Sequence, residues 1–268
     1  MSYRYETHLH TCQGSACGVS TGAEQARYYA EHGFAGIFIT DHFFGGNCAI
    51  DRSLPWKQSI DLFIKGYEDA LHEGQKLGLQ VFFAWEQWYE ADEYLIYGLS
   101  PEWLYAHPEI RTATRLEQYE LVHEGGGCVI QAHPFRDRDY VDHIRLGLQY
   151  CDGIEAINGG NEPINDAYAL RYAKDYHLVM TAGSDNHNAR TAFAPDSHRI
   201  CCVELDTPLK DGADYAKRIL NREPIRLCYD ECARPLHPKE EREIVSYWLN
   251  ARGELIPTQR NWYREIEL

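Results

Sequence analysis

No stretch of this chain is apolar for long enough to cross a bilayer, which takes about 20 consecutive apolar residues in a helix. Nor do the opening residues, MSYRYETHLH, contain the apolar segment of a secretion signal. The setting expected from both absences is the cytoplasm. Cys-x-x-Cys pairs are also missing, which argues against a structural zinc site. The nine cysteines are an odd number and scattered, so they read as reduced thiols, with Cys201 and Cys202 as buried strand residues. Positive charge is scarce: 26 Lys and Arg stand against 41 Asp and Glu, a net charge of −15. Such a surface repels phosphate backbones and disfavours nucleic acid polymers as partners. A small anionic substrate stays compatible with it if metal ions reverse the charge of its pocket. Without a Gly/Ser linker, a low-complexity tract or a fixed-period repeat, the 268 residues read as one domain.

What is present is an alternation of short β-rich runs with helical stretches. Strands are expected at Tyr3–Leu9, Gly36–Thr40, Gln80–Trp85, Tyr94–Tyr97, Cys128–Ala132, Gly153–Ile157, Val179–Ala182 and Arg199–Leu205. They are short, often apolar throughout and bounded by Gly, Pro or Asp, as buried parallel strands are. Thr21-x-x-Glu24 is a capping-box pattern that opens a helix ending at Gly33. A single apolar face predicts a helix over Trp56–Leu77, and further helices are expected at Thr114–Glu124, Asn165–Tyr176, Asp211–Asn221 and Pro238–Asn250. This order implies an α/β fold with mainly parallel strands, one domain over residues 1–235 and a C-terminal helical extension over 236–268 packed on it.

The polar residues that carry chemistry fall at the ends of these strands. The first strand runs into His8-Leu9-His10, and i, i+2 positions of an extended segment share a face. Later strands end in Asp41-His42, in Glu86, in His133-Pro134-Phe135-Arg136 and in Ser184-Asp185-Asn186-His187. In a parallel barrel all these ends lie on one rim, where active sites are built. His8, His10, Asp41, His42, Glu86, His133, Asp185 and His187 are therefore candidate ligands of divalent Zn, Mn or Fe. They are too many for one ion. Two or three ions bridged by a carboxylate such as Glu86 is the expected solution.

Taken together and in this order, the motifs resemble those of the PHP family, named for its polymerase and histidinol phosphatase members. The resemblance spans roughly residues 3–205. His8-Leu9-His10-Thr11, Ile39-Thr40-Asp41-His42, Glu86, His133-Pro134 and Ser184-Asp185-Asn186-His187 are similar to the family's successive motifs. The resemblance implies a distorted (β/α)7 barrel, TIM-like, with two or three metal ions at the C-terminal strand ends and phosphoesterase activity. As the chain carries no polymerase, it points to the stand-alone phosphatase branch. Two positions depart from the pattern. Cys17 stands where the family usually has Asp or His, and is either a ligand or a plain loop thiol; a soft thiolate is unusual in a His/carboxylate cluster, which favours the loop thiol. Glu93 stands where a His is usual, and is either a substitute ligand or part of a solvated acidic loop, the latter being favoured.

The reaction so implied is attack on phosphorus of a small phosphorylated substrate by a metal-bound hydroxide. Arg136 and Arg190 each follow a motif histidine by three residues and are candidates to hold phosphate oxygens. His42 and His187 are candidates to protonate the leaving group. Phe43, Phe44, Trp85, Trp88 and Tyr89 could stack a flat ring or simply pack. Two rival readings are a metal-dependent amidohydrolase, which also opens with H-x-H, and a metal-binding barrel without catalysis.

Overall fold

The computed structural model describes residues 2–194, 199–236 and 244–266. Its strands are β1 (Tyr3–Glu6), β2 (Gly36–Ile39), β3 (Gln80–Tyr89), β4 (Asp92–Tyr97), β5 (Cys128–Ala132), β6 (Ile144–Leu146), β7 (Gly153–Asn158), β8 (Val179–Gly183), β9 (Cys201–Leu205), β10 (Arg226–Tyr229), β11 (Ser246–Leu249) and β12 (Leu255–Pro257). The α-helices are α1 (Gly22–Glu31), α2 (Trp56–Phe63), α3 (Lys65–Leu77), α4 (Pro101–Ala106), α5 (Arg115–Glu124), α6 (Pro163–Tyr176), α7 (Ala189–Ala192), α8 (Gly212–Leu220) and α9 (Trp262–Glu265).

Nine strands form one sheet in the order β10-β9-β1-β2-β3-β4-β5-β7-β8. Only β4 and β9 run against the others of the nine. At the rim, Leu9 pairs with Asn186, which brings the end of β1 against the end of β8 and nearly closes a seven-stranded ring. The expected TIM-like α/β barrel is therefore the observed architecture. Strand alternation divides its apolar residues cleanly. Phe38, Phe82, Leu95, Tyr97 and Ile130 point into the barrel, where α8 closes it with Tyr215, Ala216 and Ile219. Their neighbours Ile37, Phe83, Trp85, Tyr94 and Ile96 point outward beneath the helices.

Three local expectations are corrected. The chain reverses at Glu90 and Ala91, whose φ values of 47° and 81° are both left-handed, so β3, expected to stop at Trp85, runs on to Tyr89 and forms an antiparallel hairpin with β4. The helix over Trp56–Leu77 is two helices, α2 and α3, separated at Ile64. The helix expected over Pro238–Asn250 is a strand where described, β11, while residues 237–243 lie outside the described part. The described C-terminal segment is thus mostly extended. Its β11 pairs in parallel with β6 and antiparallel with β12. Tyr247 and Trp248 suit a pleated surface, and the exposed edge of β6 gives them a partner that sequence periodicity does not reveal. Trp262 anchors the segment: it is fully buried, donates from Nε1 to Ser246 Oγ at 2.7 Å, and meets Phe135 edge-on.

Candidate metal centre

The strand ends place His8, His10, His42, Glu86, Glu93, His133, Asp185 and His187 around one mouth. Their donor atoms form four overlapping groups, each within 4.8 Å: His8 with His10 and Asp185, His8 with Glu86 and His133, His42 with Glu86 and Glu93, and His10 with His42 and His187. Glu86 is the hub. Its Oε1 lies 3.2 Å from His8 Nε2 and 3.3 Å from His133 Nε2, and its Oε2 lies 2.7 Å from His42 Nδ1. The backbone is bent to achieve this. His133 and Asp185 have φ values of 28° and 52°, left-handed conformations that non-glycine residues avoid and that gather at functional sites. Gly183 is needed just before Asp185, because a Cβ there would stand 2.4 Å from His8 Cβ.

Hydrogen bonds behind the cluster fix which imidazole nitrogens face it. His8 Nδ1 meets both oxygens of the fully buried Glu155, at 3.0 and 3.2 Å. His10 Nδ1 lies 3.0 Å from Ser15 Oγ, whose own proton goes to Asp41 Oδ1 at 2.7 Å. Both Nδ1 atoms therefore donate, and the Nε2 lone pairs of His8 and His10 face each other at 3.2 Å. Two lone pairs at that distance repel unless a cation or a proton sits between them. His42 Nδ1 and Glu86 Oε2 make the same point: they are buried and close, yet neither makes a hydrogen bond. This donor set fits divalent ions.

The electrostatics agree. Burial pushes Glu93 up, and the Glu86 carboxylate beside it pushes further, to about 8. Burial opposes ionisation of Glu86 and Asp185 too, but His8 and His42 hold Glu86 well below the carboxylate range, and Arg136 and His8 do so for Asp185. Burial lowers His8, but Glu155, Asp185 and Glu86 outweigh it and raise the imidazole well above its usual value. A field that retains a proton there also attracts a metal cation.

Asp41 is not in the cluster. Of two consecutive residues only one can face the mouth, and it is His42. The Asp41 carboxylate turns back to accept from Thr11 N at 2.6 Å, Thr11 Oγ1 at 2.7 Å and Ser15 Oγ. It steadies the loop that carries His10. Arg190 is likewise apart: it is exposed on α7, whose turn carries it away from the cavity. Arg136 is at the site, donating to Asp185 Oδ2 at 2.6 Å, Asn158 Oδ1 at 2.9 Å and Asn161 Oδ1 at 3.0 Å. Cys17 lies beside His42 and His187 at the cavity. Burial raises its pKa, but hydrogen bonds to His187 and His42 outweigh that and bring the thiol down to about 6. Glu93 is buried on β4, not on a solvated loop.

The cavity over the cluster has a volume of about 490 Å³. Besides ligand candidates it is lined by Gly45, Gly46, Asn47, Trp88, Arg136 and Tyr140. Of the aromatics picked out by sequence, only Trp88 opens to it; Phe43, Phe44 and Trp85 are core residues. Sequence reasoning missed the parts played by Glu155 and Ser15. A carboxylate in the middle of the apolar run Gly153-Ile154-Glu155-Ala156-Ile157 is a signal that could have exposed the first.

No family model and no curated protein matches this chain. Solved structures do. One is a two-domain protein from Bacteroides vulgatus containing a predicted PHP-like metal-dependent phosphoesterase, with a TM-score of 0.62 and 15% identity over 86% of this chain. This chain spans 66% of that protein's length. A candidate metal-dependent phosphoesterase from Bifidobacterium adolescentis matches with a TM-score of 0.51 and 16% identity, over 81% of this chain and 96% of its own. PsfC from Pseudomonas syringae matches with a TM-score of 0.55 and 15% identity, over 87% and 93%. At such identities the likeness establishes a shared fold.

Proposed function

We propose that this chain is a metal-dependent hydrolase of phosphoesters, a stand-alone member of the PHP family acting on a small phosphorylated metabolite or nucleotide. The observation that supports this best is the convergence of histidines and carboxylates from five strand ends on Glu86, with lone pairs that no hydrogen bond satisfies. In this reading His8, His10, Glu86 and Asp185 hold one ion, Glu86, Glu93 and His133 a second, and His42, His187 and Cys17 a third, the ions being Zn, Mn or Fe. When bound, such ions supply Lewis-acid activation of water near neutral pH and neutralise charge on phosphoryl oxygens. The chain's own residues do the rest. Arg136 has its guanidinium locked by Asp185, Asn158 and Asn161 while lining the cavity, so it can align phosphate oxygens without losing side-chain entropy. When it does not hold the third ion, His187, partly open to solvent and fixed through Nδ1 to the Asp185 carbonyl at 2.8 Å, has its Nε2 proton free for the leaving group, which His42, buried against Glu86, does not.

The test is turnover of an aryl phosphate and a panel of phosphorylated metabolites, run beside amide and lactone panels. The expected result is phosphoester hydrolysis that a chelator abolishes and Mn, Fe or Zn restores. Amide or lactone hydrolysis without phosphoester turnover would establish the amidohydrolase reading instead. Metal binding without any turnover would leave a non-catalytic barrel. The PHP fold neighbours described as phosphoesterases favour the first outcome.

A further inference from the structure

Two cysteines far along the chain face each other across the outermost strand pair. In the antiparallel pairing of β9 with β10, Cys202 stands directly opposite Cys228. Directly opposed residues of an antiparallel pair have Cα atoms about 4.5–5.5 Å apart and side chains on the same face. That separation falls within the about 4.4–6.8 Å that a disulfide spans. Both side chains lie in the same apolar cluster with Ile200, and their thiols are within hydrogen-bonding contact of each other. Cys202 is buried while Cys228 is half-exposed at the sheet edge, so one thiol of the pair meets solvent and the other waits behind it. Cys228 Sγ also lies 3.0 Å from Glu204 Oε2, two residues from Cys202 on the same strand face. The other cysteines lack such a partner in register: the residue opposite Cys201 is Tyr229.

We propose that Cys202 and Cys228 are a redox-modification site that closes to a reversible cross-strand disulfide when the protein meets hydrogen peroxide. Cys228 acts first, because it is the accessible member and the Cys202 thiol, hydrogen-bonded to it, favours its thiolate, the S–H proton passing to solvent. Its thiolate attacks a peroxide oxygen, the O–O bond breaks, and a sulfenic acid forms with release of hydroxide, which takes up the proton as water. The Cys202 thiol then attacks the sulfenic sulfur, the S–O bond breaks, and the hydroxyl leaves as water with the Cys202 proton. In sum two thiols and one peroxide give one disulfide and two waters, the two cysteines being oxidised by two electrons and the peroxide reduced by two. Burial of Cys202 protects the sulfenic acid's partner from reacting elsewhere, and the adjacent position makes capture intramolecular. The inference does not depend on the metal centre or on the reaction performed there.

The experiment uses the whole chain, fully reduced and then exposed to hydrogen peroxide, with remaining thiols alkylated under denaturing conditions and disulfides mapped by mass spectrometry without reduction. The expected result is a linked pair of peptides carrying Cys202 and Cys228 and a loss of two of the nine alkylatable thiols from that pair, both restored by dithiothreitol. Cys228→Ser is expected to leave Cys202 fully alkylatable, since its gatekeeping partner is gone. Recovery of both cysteines in alkylated form while the exposed Cys12 and Cys232 oxidise would overturn the proposal. So would Cys228 linking to another chain or advancing to sulfinic acid with Cys202 still free. The mapping on the unmodified sequence decides the matter even if a variant folds poorly.

Discussion

Replacing Glu155 by Gln tests whether the cluster is a metal centre held in register from behind. The Glu155 carboxylate takes up His8 Nδ1 with both oxygens, accepts from Asn158 Nδ2 at 2.7 Å and receives His133 N at 3.2 Å. It thus steadies two candidate ligands at once without touching the mouth. Gln keeps the volume and one acceptor but loses the charge and sets an NH2 group where His8 or Asn158 also donates. Groups that orient a metal-bound imidazole in this way are worth about 10–100-fold in metal affinity. At about 1.4 kcal/mol per tenfold, the expected loss is about 1.4–2.8 kcal/mol. Competition of the chelator-stripped protein against a chromophoric zinc indicator reads the affinity directly, and a thermal melt of the apo form reads the fold separately. The reasoning predicts weakened zinc binding with a smaller change in the apo melt. Wild-type affinity in a folded Glu155→Gln protein would refute it, because the hydrogen bonds to His8 would then have nothing to orient.

Cys17→Ser should reduce bound metal by about one ion per chain, since a neutral hydroxyl is a far poorer ligand than a thiolate. It should also remove the sulfur-to-metal charge-transfer absorption of the cobalt-loaded protein, and persistence of that band would exclude Cys17 as its source. Arg136→Lys keeps the charge but breaks the fork shared by Asp185, Asn158 and Asn161; turnover of phosphoesters should fall by about tenfold or more, and an unchanged kcat/KM would show that the fork has no part in the reaction. Trp262→Ala should cost about 3–5 kcal/mol of stability in a urea titration, as buried Trp truncations do; a loss under about 1 kcal/mol would mean that the C-terminal segment contributes little to the core.

The α/β alternation was legible because its strands are short, often continuously apolar runs and its first helix announces itself with the capping box Thr21-x-x-Glu24, which forms. Less visible were features set by contacts between distant parts of the chain. The β3–β4 hairpin turns on Glu90-Ala91, which lacks the Asn-Gly or Asp-Gly signature of left-handed two-residue turns, so nothing local marks the reversal. The break between α2 and α3 falls two residues before Gly66, where any Cβ would stand 2.0 Å from Thr11 Oγ1. The helix is set by its close approach to the loop after His10, and apolar periodicity along Trp56–Leu77 cannot report that.

For the site, residue type at strand ends identified most of the cluster, but not the direction in which each side chain points. Asp41 and His42 are equally good ligands as letters, and alternation alone puts them on opposite sides. The same rule that picked His8 with His10 could have separated these two, had the exact end of β2 been known. The charge balance was hidden for a related reason. Glu6, Asp41, Glu86, Glu93, Glu155 and Asp166 are all buried, yet the overall charge of −15 gives no sign of which acids are inside. Glu6 and Asp41 are answered by hydroxyl and backbone donors: Tyr29, Ser184 N and His8 N for Glu6, Thr11 and Ser15 for Asp41. Around the mouth, Arg136 sits against Asp185 and reaches Glu93 electrostatically, while Glu86 meets the imidazoles of His8, His42 and His133. Without metal the mouth is balanced only by displaced protons: Glu93 keeps its proton up to about 8, and the carboxylates around His8 and His42 hold those imidazoles charged well above their usual range. A field that holds protons on so many converging ligand atoms, visible only once the strands are assembled, is the physical reason for assigning divalent cations to the rim of this barrel.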